Sequence, residues 1–269
     1  MGAAPLLALA LSADYPGRSG VLRDLRLEIG RGEILGLVGQ SGCGKSTLAL
    51  AILRLLHLKR ARATGSIRLN GRELTIATER QMRSIRGREI GLVLQSPLAA
   101  LNPALRLGAQ MEEAWKLHRS TTRQERRRAL LETLELVSLP AEEAFLRRYP
   151  AELSVGQAQR VLIGMALLHR PPLVIADEPT SALDIVTQAE ILELFSSLSR
   201  RLGTSILFIS HDLLAVAAVS RRVAVMHQGA IVECRPTAEL FTAPAHPYTR
   251  RLLAAMPAPP LFAPSVAVA

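Results

Sequence analysis

The run GQSGCGKST, Gly39 to Thr47, holds the densest chemistry in this 269-residue chain. Gly39, Gly44, Lys45 and Ser46 stand at the defining places of the spacing G-x-x-x-x-G-K-[ST]. Glycines at 42 and 44 allow backbone N–H groups to turn inward around phosphate oxygens. A helix that starts at Lys45 adds its N-terminal dipole to the same spot. Lys45 has the reach and charge for β- and γ-phosphates, and the Ser46 hydroxyl suits Mg²⁺. The pattern reads as a nucleotide triphosphate site. A second constellation, LVIADEP (Leu173 to Pro179), sets two carboxylates side by side after an apolar run. Asp177 suits Mg²⁺ held through water, and Glu178 suits polarising an attacking water as general base.

Both constellations need a scaffold. ILGLVG (Ile34 to Gly39) is continuously apolar and reads as a buried strand feeding the loop, with a helix from about Lys45 to Leu56 behind it. LVIAD reads the same way and would deliver Asp177 to the C-terminal edge of a sheet, where such folds bind ligands. DLRLEI alternates, SIRLNG alternates into an Asn-Gly turn, and IGLVL is continuous. One helix is expected among these strands before Leu94. From about Pro103 to Leu168 the chain reads as helical, broken by Pro140 and Pro150. Beyond Asp177 a helix through ILELFSSLSRRL, the strand SILFIS, the helix DLLAVAAVS and the strands VAVMH and AIVE are expected. Such alternation predicts an α/β fold with a parallel sheet covered by helices.

Composition narrows the classes. Hydrophobic residues at 49% and charged ones at 21% suit a folded domain with a sizeable core. LLALALSA and VLIGMALL are too short to span a bilayer. The N-terminal apolar stretch lacks a basic segment before it, and Asp14 and Tyr15 follow at once, so it reads as a first β-strand. Cys43 and Cys234 form no disulfide framework and no metal-ligand spacing. The net charge of +10 suggests a polyanionic neighbour: nucleic acid, an anionic membrane face or nucleotide phosphates. Aromatics at 3%, with none interleaved in the basic stretches, argue against a single-strand nucleic-acid groove.

Between the two constellations lies ELSVGQAQR, Glu152 to Arg160. It resembles the LSGGQ signature of ATP-binding cassette (ABC) ATPases. Tyr15 before the loop, Gln95 at a strand end, SALD (Ser181 to Asp184) after the acid pair and His211 after ILFIS follow that family's order. The resemblance covers about Leu6 to Met256. It implies a P-loop NTPase cassette with a mixed β-sheet core, an N-terminal antiparallel β subdomain and an α-helical subdomain at about 98–168. That makes one domain over 5–256, with 257–269 expected to be a disordered tail. It implies ATP and Mg²⁺ as ligands, with Gly39, Ser41, Gly42, Cys43, Gly44, Lys45, Ser46 and Thr47 around the phosphates and Tyr15 stacked on adenine. Ser46, Gln95 and Asp177 would serve the metal. Glu178, His211, Lys45 and Gln95 would serve catalysis, with His211 contacting the γ-phosphate and supporting Glu178. Ser154, Gly156 and Gln157 would act in trans on nucleotide held by a second, identical or paralogous, cassette, and Asp184 would organise that interface. Val155 stands where the family has its first signature glycine; its β-branched side chain restricts the backbone there, so one strong and one weak site is an expected possibility.

QSPLAALNPALRLGAQ (Gln95 to Gln110) and PAHPYTRRLLAAMP (Pro244 to Pro257) resemble the ATPases of oligopeptide, dipeptide and nickel importers. That group often continues into a cysteine-rich segment resembling an iron–sulfur site. With no cysteine after Cys234, that segment is expected to be absent. The resemblance implies two transmembrane permease subunits as partners, an extracytoplasmic solute-binding protein acting through them, no nucleic acid, and a peripheral position on the cytoplasmic face of the inner membrane. The alternative within the family is the ATPase of a soluble complex, such as a carbon–phosphorus lyase accessory protein. A nucleotide-binding scaffold without hydrolysis is a third class, opposed by Lys45, Asp177, Glu178 and His211.

Overall fold

A computed structural model describes residues 4–256. The expected tail at 257–269 lies outside the described residues. Four strands, β1 (Leu7–Tyr15), β2 (Arg18–Ile29), β4 (Arg62–Leu69) and β5 (Arg72–Glu73), form an antiparallel sheet in the order β2-β1-β4-β5. Leu7, Leu9, Leu11 and Ala13 of β1 are buried while alternate residues are not, the period-two pattern of a one-sided sheet. The Asn70-Gly71 turn joins β4 to β5. Glu73 fastens this end: its carboxylate accepts from Ile67 N (2.9 Å), Thr75 N (3.1 Å), the Thr75 hydroxyl (2.6 Å) and the Ser66 hydroxyl. Partial burial alone would raise its pKa, but these donors outweigh it and hold the carboxyl at about 2.

The second sheet is mixed, in the order β10-β9-β3-β8-β7-β6: β3 (Ile34–Val38), β6 (Ile90–Val93), β7 (Leu173–Asp177), β8 (Ser205–Ser210), β9 (Arg222–His227) and β10 (Ala230–Pro236). Only the β9–β10 pair is antiparallel. Continuous apolar strands follow from burial on both faces. In β8, Leu207 and Ile209 enter the core shared with the antiparallel sheet, while Ile206 and Phe208 enter the core beneath the helical region. Register places the strand ends level: Val38 pairs with Ser210 and Val225, and Asp177 with Ile209.

Helices Leu107–Lys116, Arg123–Leu136, Glu143–Leu146 and Val155–Leu167 occupy the stretch expected to be helical, with Pro140 and Pro150 between them, and a short helix, Pro97–Ala100, precedes it. The basic run Arg123 to Arg128 is partly neutralised by this same region, since Arg126 and Arg127 reach Glu112 (3.4 and 3.9 Å) and Arg128 reaches Glu132 (2.8 Å).

Two expectations need correction. The helix after the phosphate loop ends at Ile52, not Leu56, because Arg54 turns left-handed (φ 53°) and Leu55 N closes onto Leu50 O (2.8 Å). A second helix, Glu79–Ile85, also precedes Leu94. Its start is set by a reciprocal cap between Thr78 and Gln81, a signal short enough to be passed over beside the strands. No described helix is long and apolar enough to cross a membrane.

Candidate active site

Strands β3, β7 and β8 end side by side, so the residues that follow them meet over one edge of the sheet. The space there is a cleft of about 710 Å³. Tyr15, Pro16 and Arg18 wall one side; Ser41, Gly42 and Gly44 to Thr47 form another; Gln95, Glu178 and His211 complete it. Gly44 has φ 115°, and a Cβ there would stand 2.9 Å from Val21 O, so the last turn of the loop before the helix admits only glycine. Tyr15 reaches the Thr47 hydroxyl (3.2 Å), which holds the aromatic ring at the mouth beside the helix start.

Lys45 is 7% exposed and lies inside the loop, donating to Gly39 O (2.7 Å) and Gln40 O (3.3 Å), with Glu178 Oε1 at 4.0 Å. Glu178 Oε2 is 2.7 Å from His211 Nδ1, so a proton on Nδ1 is donated to the carboxylate. Glu178 itself is left-handed (φ 52°), a conformation that costs a non-glycine residue about 1–3 kcal/mol. Its N–H bond to Ile209 O (2.9 Å) and the His211 contact hold it there. An acid aimed at a cavity by a strained backbone, beside an imidazole and opposite a lysine, is an arrangement that can polarise water in front of a phosphate.

Asp177 lies behind the cleft wall rather than on it. Burial pushes its carboxyl up, a hydrogen bond from Ser46 pulls it down, Glu178 pushes up again and Lys45 opposes. Its Oδ1 is buried with no partner. An orphaned carboxylate oxygen beside a hydroxyl is the hard-oxygen donor set that Mg²⁺ prefers, so Ser46 and Asp177 fit that ion. Gly39 and Cys43, also expected around phosphate, are not on the cleft wall; burial raises the Cys43 thiol, with Lys45 opposing. Arg18 does line the cleft, with its guanidinium on Gly42 O (3.3 Å), and was missed in the sequence. A basic residue three places after the aromatic was the only signal available.

Ser154, Gly156, Gln157 and Asp184 stand apart from the cleft. Ser154 caps the helix Val155–Leu167: its hydroxyl accepts from Gln157 N (3.2 Å), and Gln157 Oε1 accepts from Ser154 N (3.1 Å). Asp184 caps the helix Ile185–Leu202, accepting from Val186 N and Thr187 N (3.0 Å each) and from the Thr187 hydroxyl (2.7 Å). The two caps touch through Thr187, since a Cβ on Gly156 would stand 2.7 Å from Thr187 Cγ2. Gly156 therefore has a packing reason within its own chain. Val155 is the first residue of its helix and 38% exposed.

A glycine-rich loop opening a helix after β3, an acid pair at the end of β7 and a histidine after β8, the strand between them, define a nucleotide triphosphatase of the P-loop type. Comparison with known proteins narrows the class. Residues 22–181 match the family described as ABC transporter, and 232–261 match the oligopeptide/dipeptide transporter C-terminal region. The oligopeptide transport ATP-binding protein OppD of Bacillus subtilis is 43% identical over 90% of this chain and 68% of its own length. A probable peptide ABC transporter ATP-binding protein, y4tR, of Sinorhizobium fredii is 44% identical over 92% of this chain and 75% of its own. Among solved structures, the dimeric ATP-binding cassette MJ0796 in a post-hydrolysis state with ADP and Pi superposes with a TM-score of 0.73 at 28% identity, covering 86% of this chain and 98% of that one. The chain belongs to the ABC transporter family, and it is an ATPase.

Proposed function

We propose that this ATPase powers an importer for small peptides, nickel or related solutes, coupling ATP binding and hydrolysis to the closing and opening of a head-to-tail pair of cassettes. The observation that carries the reading is the separation of the two half-sites: Ser154 and Gly156 lie off the cleft that holds Lys45, Glu178 and His211. Phosphate in that cleft would need a second chain to complete its shell. The peptide-transport names of the 43–44% identical relatives support the cargo class. On this reading residues 5–256 form one cassette, with its helical lobe at about 98–168 meeting two permease subunits at the inner membrane's cytoplasmic face.

ATP enters with adenine against Tyr15. Lys45 and the loop N–H groups from Ser41 to Thr47 take the phosphates, and a water lies between the γ-phosphorus and Glu178. Glu178 takes the water's proton as the water oxygen bonds to the γ-phosphorus and the P–O bond to ADP breaks, releasing phosphate, while His211 keeps the carboxylate aimed. Ser46, Asp177 and Gln95 would hold Mg²⁺, which when bound would supply neutralisation of the phosphate charge. The partner's signature serine and glycine would close the remaining side.

Purification of the tagged chain with its native partners tests the assignment. Two polytopic membrane proteins are expected to accompany it. Recovery in a soluble enzyme core instead would transfer the chain to the carbon–phosphorus lyase type of complex.

A further inference from the structure

The C-terminal helix Pro247–Ala254 is docked by features the ATP reading leaves unused. His246 caps it, with Nδ1 accepting from Tyr248 N (3.1 Å), and Pro247 opens its first turn. The buried Glu233 carboxylate of β10 accepts from Ala245 N (2.8 Å) and His246 N (3.0 Å), and Arg235 lies 3.4 Å away on its outer side. These bonds tie the helix start to the sheet. They set the Tyr248 ring, 4% exposed, flat on His227 at the end of β9, with ring centres 3.8 Å apart and planes 21° from parallel.

From that position the Tyr248 hydroxyl accepts the N–H of Gln40 (3.3 Å), across 208 residues of sequence. Gln40 N belongs to the same peptide plane as Gly39 O, and Gly39 O is the main acceptor of Lys45 Nζ (2.7 Å). One peptide group at the root of the phosphate loop is therefore held at both ends, by a tyrosine from the C-terminal region and by the phosphate-binding lysine. A peptide plane fixed at one end only can rotate about its flanking dihedrals, and Lys45 would lose its preset direction.

We infer that Tyr248 is a positioning residue of the nucleotide site, its hydroxyl fixing the Gly39–Gln40 peptide so that Lys45 and the loop amides are aligned before ATP arrives. This rests on the cleft being the ATP site. It gives the C-terminal region, matched separately from the ATPase core, a direct part in nucleotide affinity.

Tyr248→Phe in the full chain is the test, because it keeps the ring and the stack on His227 and removes only the hydroxyl. The dissociation constant for Mg·ATP is expected to rise about 3- to 10-fold, the range for one hydrogen bond. The melting temperature should stay near that of the wild type. In amide spectra the Gln40 N–H should shift and exchange faster with solvent, with no matching change in the helix Val155–Leu167. Wild-type affinity together with an unmoved Gln40 amide overturns the proposal. Weaker binding with an unmoved Gln40 amide and a lowered melting temperature also overturns it, assigning Tyr248 to packing alone. Failure of the wild-type chain itself to bind ATP would instead remove the cleft reading, which the Gln40 amide distinguishes because it reports the contact without nucleotide.

Discussion

The cleft and the signature face differ in how folding leaves them. In the cleft the charged side chains already have hydrogen-bond partners: Lys45 on loop carbonyls, Glu178 on His211, Arg18 on Gly42 O. On the signature face the polar atoms are spent on caps, and apolar side chains stay in solvent, with Val155 38%, Val186 70% and Ile185 87% exposed. A side chain of that size contributes about 1.5–3 kcal/mol when fully buried, so the signature face stores a driving force that only another surface can release. On the proposed function, the first face takes a small anion and the second a protein. Four changes can break or refine that contrast.

The largest effect is expected from Glu178→Gln. The amide keeps the hydrogen-bonding shape towards His211 but cannot take a proton from water. ATP turnover of the assembled complex should fall about 10²- to 10⁴-fold with ATP still bound, and light scattering should find the chain trapped as a closed pair. Unchanged turnover would take Glu178 out of the chemistry.

Ser154→Ala probes the other face. The isolated chain should bind ATP as the wild type does, since Ser154 is not on the cleft wall. In the complex, turnover should drop about 10- to 100-fold for one lost bond to a charged phosphate, and the missing cap should lower stability by about 1 kcal/mol. Calorimetric titration that finds equal weakening of ATP binding in the isolated chain would erase the separation between the faces.

Glu73→Gln serves as the reference far from both. The folded carboxyl titrates at about 2 against an ordinary 4.5, so its stabilising effect is complete above pH 4.5 and is lost as pH falls through about 2. At pH 7 the variant should be about 1–3 kcal/mol less stable, and the gap should close between pH 4.5 and 2 in denaturant titrations. ATP bound per folded molecule should not change.

The smallest effect separates two reasons for a glycine. In Gly156→Ala the added Cβ crowds Thr187 Cγ2, while alanine gains up to about 1 kcal/mol of helix propensity, leaving a net change of about 1 kcal/mol or less. Adding Thr187→Ser removes that methyl and keeps the hydroxyl on Asp184, so the double variant should melt no lower than the wild type. Restored turnover in the double variant would make Gly156 a packing residue; turnover that stays low would leave it a partner contact.

The phosphate loop, the acid pair and the strands feeding them were legible because each is a contiguous run whose pattern states its own structure. Gly156 was legible as a signature residue, yet its contact with Thr187 was not, since nothing in either local sequence specifies how two helix starts lie together. Tyr248 was legible only as part of PAHPYTRRLLAAMP; its reach to Gln40 depends on where β9, β10 and Glu233 place the helix start. Arg18 was invisible for the opposite reason, one arginine among many in a basic chain. The helix Glu79–Ile85 carried a readable cap, Thr78 with Gln81, but only seven residues of body. Local pattern located the candidate reacting groups, and long-range packing determined what holds them.

The level ends of β3, β7 and β8 bear on how this chain can vary in length. Asp177 pairs with Ile209 and Val38 with Ser210, so His211 follows its strand by a single residue. A one-residue insertion or deletion within β8 would move His211 by about 3.3 Å and send alternate side chains to the opposite face. The connection between Leu117 and Thr122 meets no such constraint. Drift among descendants of this sequence should therefore leave the three strand lengths untouched and collect its insertions in the helical region's loops.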